Sequence, residues 1–359
     1  MSSSVEAAET QIMAALDRIA DPEQPGSVVS HRRIQGLIVK DGHVSCALSL
    51  PPALARAGEG LRQQVEKTIA SVPGVLSATV ILTSHRAAAG ASRPLALPGV
   101  SFMIAVASGK GGVGKSTSAV NLALGLQTLG LKVGLMDADI YGPSQPRLLG
   151  LSGKPESLDG KTILPLHKYG LSVMSMGFLI AEDTPMIWRG PMVMSAIQQL
   201  LRDVQWGMLD VLVIDLPPGT GDAQLTLAQQ VALSGAVIIS TPQDIALIDA
   251  KKGLAMFRKV NVPILGIIEN MSYFLCPHCG HRSDIFSHGG ARAEAERAGV
   301  PFLGDVPLAM EIRETSDSGA PVVVSQPDSA YATAYRTIAA RIWDQLQTSH
   351  VGAPAIVVE

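Results

Sequence analysis

Within ten residues, Ser108-Gly109-Lys110-Gly111-Gly112-Val113-Gly114-Lys115-Ser116-Thr117 sets four glycines, two lysines and three hydroxyls side by side. The run satisfies the G-x-x-x-x-G-K-[ST] spacing and adds a lysine, Lys110, directly after the first glycine. Gly109, Gly111, Gly112 and Gly114 let backbone N–H groups, that of Val113 among them, turn inward around phosphate oxygens. A helix opening near Lys115 would aim its positive dipole end at the same anion. Lys115 would reach the terminal phosphates, the Ser116 hydroxyl would sit on Mg2+, and Thr117 closes the motif. The chemistry is binding of a nucleoside triphosphate.

Two acidic elements could serve that nucleotide. Asp137-Ala138-Asp139 follows the apolar run ending at Met136, and Asp215-Leu216-Pro217-Pro218-Gly219 follows the run ending at Ile214. Carboxylates at strand ends can hold Mg2+ through its retained waters, and one of them can orient an attacking water. Gly219 would let the backbone approach and leave the γ-phosphate.

A third constellation is Cys276-Pro277-His278-Cys279, two thiols three apart on a turn, able to face one metal. One pair is half a tetrahedral site, and a two-fold dimer would complete it with the symmetry mates. Zinc within one chain, using His278 or His281 with His288 in reserve, is an alternative, as are a redox pair and simple reduced thiols. Cys46 lies in an alternating apolar segment and reads as a core residue.

Elements must hold these groups in place. Met103–Ala107 reads as a buried strand before the glycine loop, and Ala119, Leu122, Ala123 and Leu126 repeat at helical spacing after it. Residues 133–136, 211–214, 236–239 and 264–268 are further strand-sized apolar runs between helical stretches. That alternation predicts an α/β fold with a mostly parallel, doubly wound sheet and ligands at the strands' carboxyl ends. Residues 5–83 read differently: helix, two strands around the Asp41-Gly42 turn, helix, strand, a small α+β domain. Residues 84–99 are rich in Ala, Arg, Gly, Pro and Ser and read as a linker, 100–348 as the nucleotide domain, and 349–359 as a flexible tail. With 359 residues, a net charge of −3 and 16% charged residues, no broad basic face for nucleic acid is expected. No apolar run is long enough for a membrane span, there is no secretory signal, and three cysteines make no disulfide framework, so a cytoplasmic protein is expected.

The loop with Lys110, the Asp-x-Asp element and the Asp-Leu-Pro-Pro-Gly element resemble the deviant Walker A ATPases, which include MinD, ParA and the nitrogenase iron protein. Residues 136–144, 188–192 and Glu269-Asn270-Met271-Ser272 narrow the resemblance to the Mrp/ApbC family of iron–sulfur cluster carrier proteins, over about residues 100–324. The small domain resembles the MIP18 type, without the cysteine that free-standing relatives carry after the second strand. There this chain reads Leu50-Pro51-Pro52-Ala53-Leu54.

The resemblance implies a homodimeric ATPase that passes a cluster to apo-proteins and works with cluster assembly factors. It implies that Lys110 crosses the dimer interface to the partner's nucleotide and that Asp139 positions the hydrolytic water. It further implies that Asp137 and Asp215 support Mg2+ and that Asn270 bonds the adenine. Cys276 and Cys279 with their symmetry mates would hold a bridging four-iron four-sulfur cluster. The competing functions are a MinD/ParA-like positioning ATPase and a zinc-stabilised nucleotide switch. The first lacks a basic amphipathic terminal helix, since residues 351–359 contain no Lys or Arg.

Overall fold

The computed structural model describes residues 10–351 except 23, 32, 41–42, 51–54, 85–93, 158, 160–161 and 180–189. The chain divides into two compact units, Met1–Ser92 and Arg93–Glu359. The expected Asp41-Gly42 turn, most of the expected linker, Trp188-Arg189 and the tail beyond Val351 lie outside the described residues.

In the smaller unit, helix α1 (10–16) precedes strands β1 (Ile34–Lys40) and β2 (His43–Leu50), helix α2 (Ala55–Ala70) and strand β3 (Ser77–Ser84). β1 pairs antiparallel to β2, and β2 pairs parallel to β3. Ile12, Leu16, Val65 and Ile69 turn inward onto Val44, Leu48 and Val80, so the helical and alternating patterns meet in one core. Cys46 is buried in that core, as its place in an alternating strand predicts.

The larger unit is built on a nine-stranded sheet. Its first segment gives β4 (Val100–Ser108), α3 (Lys115–Gln127), β5 (Val133–Asp137) and the short helix α4 (Gln145–Leu148). Next come β6 (Leu166–Lys168), β7 (Leu171–Ser175), α5 (Gly190–Arg202), β8 (Leu209–Asp215) and α6 (Asp222–Gln230). They are followed by β9 (Gly235–Ser240), α7 (Asp244–Lys259), β10 (Ile264–Leu275) and β11 (Arg282–Ser283). α8 (Gly290–Ala298), β12 (Phe302–Leu308), α9 (Met310–Asp317), α10 (Val322–Ser325) and α11 (Ala330–Val351) complete it.

The strand order is β11-β10-β9-β4-β8-β5-β7-β6, with β12 also on β10. Only the β6–β7 and β10–β11 pairings are antiparallel, so the sheet is mostly parallel, with β4 at its centre. Covered on both faces, its central strands are continuous apolar runs: residues 103–108 of β4 and all of β5 and β9 are buried. α3 is buried almost all round, wedged between sheet and α11, whose stripe of Tyr335, Ile338, Ile342 and Leu346 is in the core. β10 exceeds the run 264–268: it continues through Glu269-Asn270-Met271-Ser272 and Tyr273 to Leu275. Polar residues can continue it because β12 pairs with it as far as Phe274, across a register shift after Asn270.

Candidate functional site

β4 ends at Ser108, residues 109–114 turn, and α3 starts at Lys115 with no side-chain cap on its first N–H groups. Those unsatisfied donors face the loop, which is the condition for anion binding at a helix N-terminus. Two glycines are required here for different reasons. A Cβ on Gly109 would lie 2.3 Å from the backbone of Asp249, so α7 packs directly on the loop. Gly114 has φ +81, and a Cβ there would lie 2.1 Å from Asn270 Nδ2. Gly111 and Gly112 are exposed, Val113 is buried, and Lys110, Ser116 and Thr117 are half-buried. The Ser108 hydroxyl donates to the Lys110 carbonyl at 2.8 Å, and the Gly219 N–H donates to the Ser108 carbonyl at 2.9 Å. The Asp-Leu-Pro-Pro-Gly turn is thereby tied to the root of the loop.

The two acidic elements meet because their strands do. Asp137 and Asp215 are paired across the parallel β5–β8 ladder, and both are 0% exposed. Asp139 lies beside them, 8% exposed. Lys115 bonds Asp215 Oδ1; its ammonium is also 3.8 Å from Asp139 Oδ2 and 3.2 Å from Ser116 Oγ. Burial, reinforced by the charge of Asp215, pushes the Asp137 carboxyl up to about 7, against the N–H groups of Gln145 and Asp139 and the Lys115 charge. Burial also raises Asp139, with Lys115 opposing and Asp215 adding to the rise. Three buried carboxylates around one ammonium leave an excess of negative charge. Such an all-oxygen donor set, with the Ser116 hydroxyl beside it, suits a hard divalent cation.

Two residues that motif reading missed complete this cluster. Gln145, 0% exposed, donates from Nε2 to Asp215 Oδ2 at 2.8 Å and to the Ser116 carbonyl at 3.0 Å. Its backbone N–H donates to Asp137 Oδ2 at 3.1 Å. The Ser175 hydroxyl, at the end of β7, donates to the same oxygen at 3.0 Å. Neither has a spacing signature. Only the neighbouring strand ends bring them there.

Asn270 sits on the other side of the loop. Its Nδ2 donates to the Val113 carbonyl at 2.8 Å, and it lines a cavity of about 240 Å³. Gly114, Thr117, Met271, Leu308 and Ile312 are among the other walls. The recess opens beside the loop, with mostly apolar walls and Asn270, Arg313, Ser316 and Asp317 among its polar lining.

From Asn270, β10 runs on to the thiols. Cys276–Cys279 forms the turn that reverses β10 into β11, closed by Cys276 N–H to His281 O at 2.9 Å and Gly280 N–H to Cys276 O at 2.8 Å. The N–H groups of Cys279 and His278 bond the Cys276 sulfur and lower its pKa, so the turn itself supplies the thiolate stabilisation that a helix N-terminus gives elsewhere. The Cys46 thiol is raised to about 11, chiefly by burial, in the other unit's core. The Arg282 guanidinium lies over the Tyr273 ring, 4.2 Å from its centroid, while Leu275 and Ile285 stay exposed. His278 and His281 are exposed, and His288 contacts Ser272 Oγ at 2.7 Å and Glu269 Oε1 at 3.3 Å. Glu269, fully buried, accepts the N–H groups of Gly289 and Ala291 and so anchors α8 to β10.

The fold and loop define a nucleotide-binding P-loop NTPase of the ParA-like class. Residues 99–343 match the family described as "NUBPL iron-transfer P-loop NTPase", and residues 9–80 the one described as "Iron-sulfur cluster assembly protein". The iron–sulfur cluster carrier protein of Escherichia coli K12 is 43% identical over 346 residues, covering 96% of this chain and 94% of that protein. The iron–sulfur cluster transfer protein NUBPL of Dictyostelium discoideum is 56% identical over 255 residues, covering 70% of this chain and 79% of that protein. This chain belongs to the family of iron–sulfur cluster carrier P-loop NTPases. Among solved structures, an ADP complex of the Archaeoglobus fulgidus nucleotide-binding protein superposes with a TM-score of 0.57 at 40% identity, covering 65% of this chain and 90% of that one. The cell division ATPase MinD of Pyrococcus furiosus shares the fold, with a TM-score of 0.51 at 24% identity, covering 68% of this chain and 99% of that one. Among the described residues no helix is long and apolar enough to cross a membrane.

Proposed function

We propose that the protein is a cytoplasmic, homodimeric ATPase that carries an iron–sulfur cluster between its subunits and delivers it to apo-proteins. The observation that carries this reading is the continuity of β10. One strand bears Asn270 against the loop carbonyl of Val113 and, past an irregularity in its pairing after Asn270, runs to Leu275, the residue before Cys276. The Cys276–Cys279 turn offers two exposed or half-buried sulfurs, and a symmetry-related copy would supply the other two for a four-iron four-sulfur cargo.

Lys115, now on Asp215, would transfer to the terminal phosphates, leaving Ser116, Asp137 and Asp215 to hold Mg2+. That ion would neutralise charge on the phosphate oxygens. Asp139 would orient the attacking water, and Lys110 would reach the partner's nucleotide. Asn270 and the cavity beside it would take the adenine. Residues 5–83 would form the domain that docks assembly partners or clients, linked through 84–99 to the ATPase domain over 100–348.

Anaerobic reconstitution with iron and sulfide tests the cargo. Broad absorbance near ~400 nm is expected, with its loss in the Cys276→Ala/Cys279→Ala variant; absorbance that survives the double substitution refutes the site. Phosphate release from ATP, absent in Asp139→Asn, tests hydrolysis. Zinc alone after oxygen-free purification would favour the zinc-switch reading, which the N–H···S bonds of the cysteine turn equally accommodate.

A further inference from the structure

Gln145 is a fully buried amide outside every motif read from the sequence. Its orientation is fixed by its neighbours: Asp215 Oδ2 and the Ser116 carbonyl are both acceptors, so the group facing them must be the NH2. That leaves Oε1, which is buried and has no hydrogen-bond partner. One side chain thus ties a strand-end carboxylate to the first turn of the phosphate-loop helix and keeps one acceptor unfilled.

We propose that Gln145 is a positioning residue for a metal–nucleotide complex. It holds Asp215 in place when Lys115 moves to the phosphates, and it offers Oε1 to a donor that arrives with the ligand. Asp215 divides its two oxygens. Oδ2 is locked by Gln145, and Oδ1 holds Lys115, whose ammonium is 3.2 Å from Ser116 Oγ. Departure of the lysine therefore leaves Oδ1 aimed at the space beside the Ser116 hydroxyl. A carboxylate held there binds a hydrated divalent cation without first being ordered, and a cation-bound water is a donor for Oε1. Without the amide, Asp215 would lose its remaining side-chain partner in the step that frees it.

The inference rests on the proposed Mg2+-nucleotide reading, and the test separates the two. A fluorescent ADP analogue is titrated into the full chain in Mg2+ and in EDTA, for the parent and for Gln145→Met, which keeps the length and removes the amide. The affinity in EDTA is each protein's own reference, since the amide also holds the Ser116 carbonyl of the loop helix. The gain on adding Mg2+ should be about tenfold smaller in the variant, the order expected of one charge-assisted hydrogen bond. Because each protein supplies its own Mg2+-to-EDTA ratio, a general loss of stability leaves the readout unchanged. Gln145→Leu makes the same prediction should the methionine variant fail to fold. Equal Mg2+ gains in parent and variant overturn the role of Gln145 alone; no Mg2+ gain in the parent overturns it together with the reading beneath it.

Discussion

Lys115 is expected to be a structural counter-ion in the nucleotide-free protein as well as a phosphate ligand. It is 6% exposed, and its ammonium serves Asp215, which is 0% exposed, and Asp139. Lys115→Met would leave Asp137, Asp139 and Asp215 buried together with no described cation at the cluster. Removing one partner of a buried ion pair costs about 3–5 kcal/mol, far more than the pair's net worth.

The loss should depend on pH, with a sign that follows from the carboxylates. Lys115 lowers both Asp137 and Asp139, so both rise further without it. A raised carboxylate penalises the folded state wherever it must ionise, so the penalty is absent below the unfolded value and complete above the folded one. Asp137 already sits at about 7 with the lysine present. The variant's added deficit from Asp137 therefore opens as pH rises through about 7, at up to about 1.4 kcal/mol per pH unit for one proton.

Guanidinium unfolding followed by tryptophan fluorescence reads this directly, because Trp206 and Trp343 lie in the larger unit and residues 1–92 contain no tryptophan. A deficit of about 3–5 kcal/mol at pH 8.5, smaller by at least about 1 kcal/mol at pH 6, is expected. Adding Asp215→Asn should recover part of it. A variant as stable as the parent at pH 8.5, or a deficit independent of pH, refutes the reasoning.

Gly114→Ala should weaken nucleotide binding by about tenfold or more, because a left-handed backbone costs about 1–2 kcal/mol in an alanine and the new Cβ must displace Asn270; calorimetric titration showing unchanged affinity would contradict this. Alkylation at pH 7.5 followed by mass spectrometry should modify Cys276 readily and Cys46 at least about a hundredfold more slowly, since a buried thiol raised to about 11 has little thiolate. Equal labelling in the native protein would show that the turn and the core do not differentiate the sulfurs. Glu269→Gln should cost about 1–3 kcal/mol in thermal unfolding, because an amide NH2 would face the Gly289 or Ala291 N–H; an unchanged midpoint would rule out the anchoring of α8.

Several features were written in local sequence. The glycine loop needs positive φ at Gly114 and close approach at Gly109, demands that only glycine meets, so the motif carried its own geometry. Apolar runs covered on both faces announced β4, β5, β8 and β9, and the 3.6-residue stripe announced α11. The Cys276–Cys279 spacing defines a turn whose own N–H groups stabilise one thiol, again a local property.

Other features exist only because distant strands lie side by side. The β5–β8 register sets Asp137 opposite Asp215. That contact, with burial, raises Asp137 and draws Lys115 between the carboxylates. Gln145 and Ser175 carry no sequence signal, since a buried amide or hydroxyl becomes informative only when its partners are known. The same holds for the far half of β10, which continues past the apolar run ending at Ile268 where β12 pairs with it, and so leads from Asn270 to Leu275, next to Cys276. Residue type and spacing determined which groups could bind phosphate and metal. Strand register and burial decided their charges, their partners and the line that joins them.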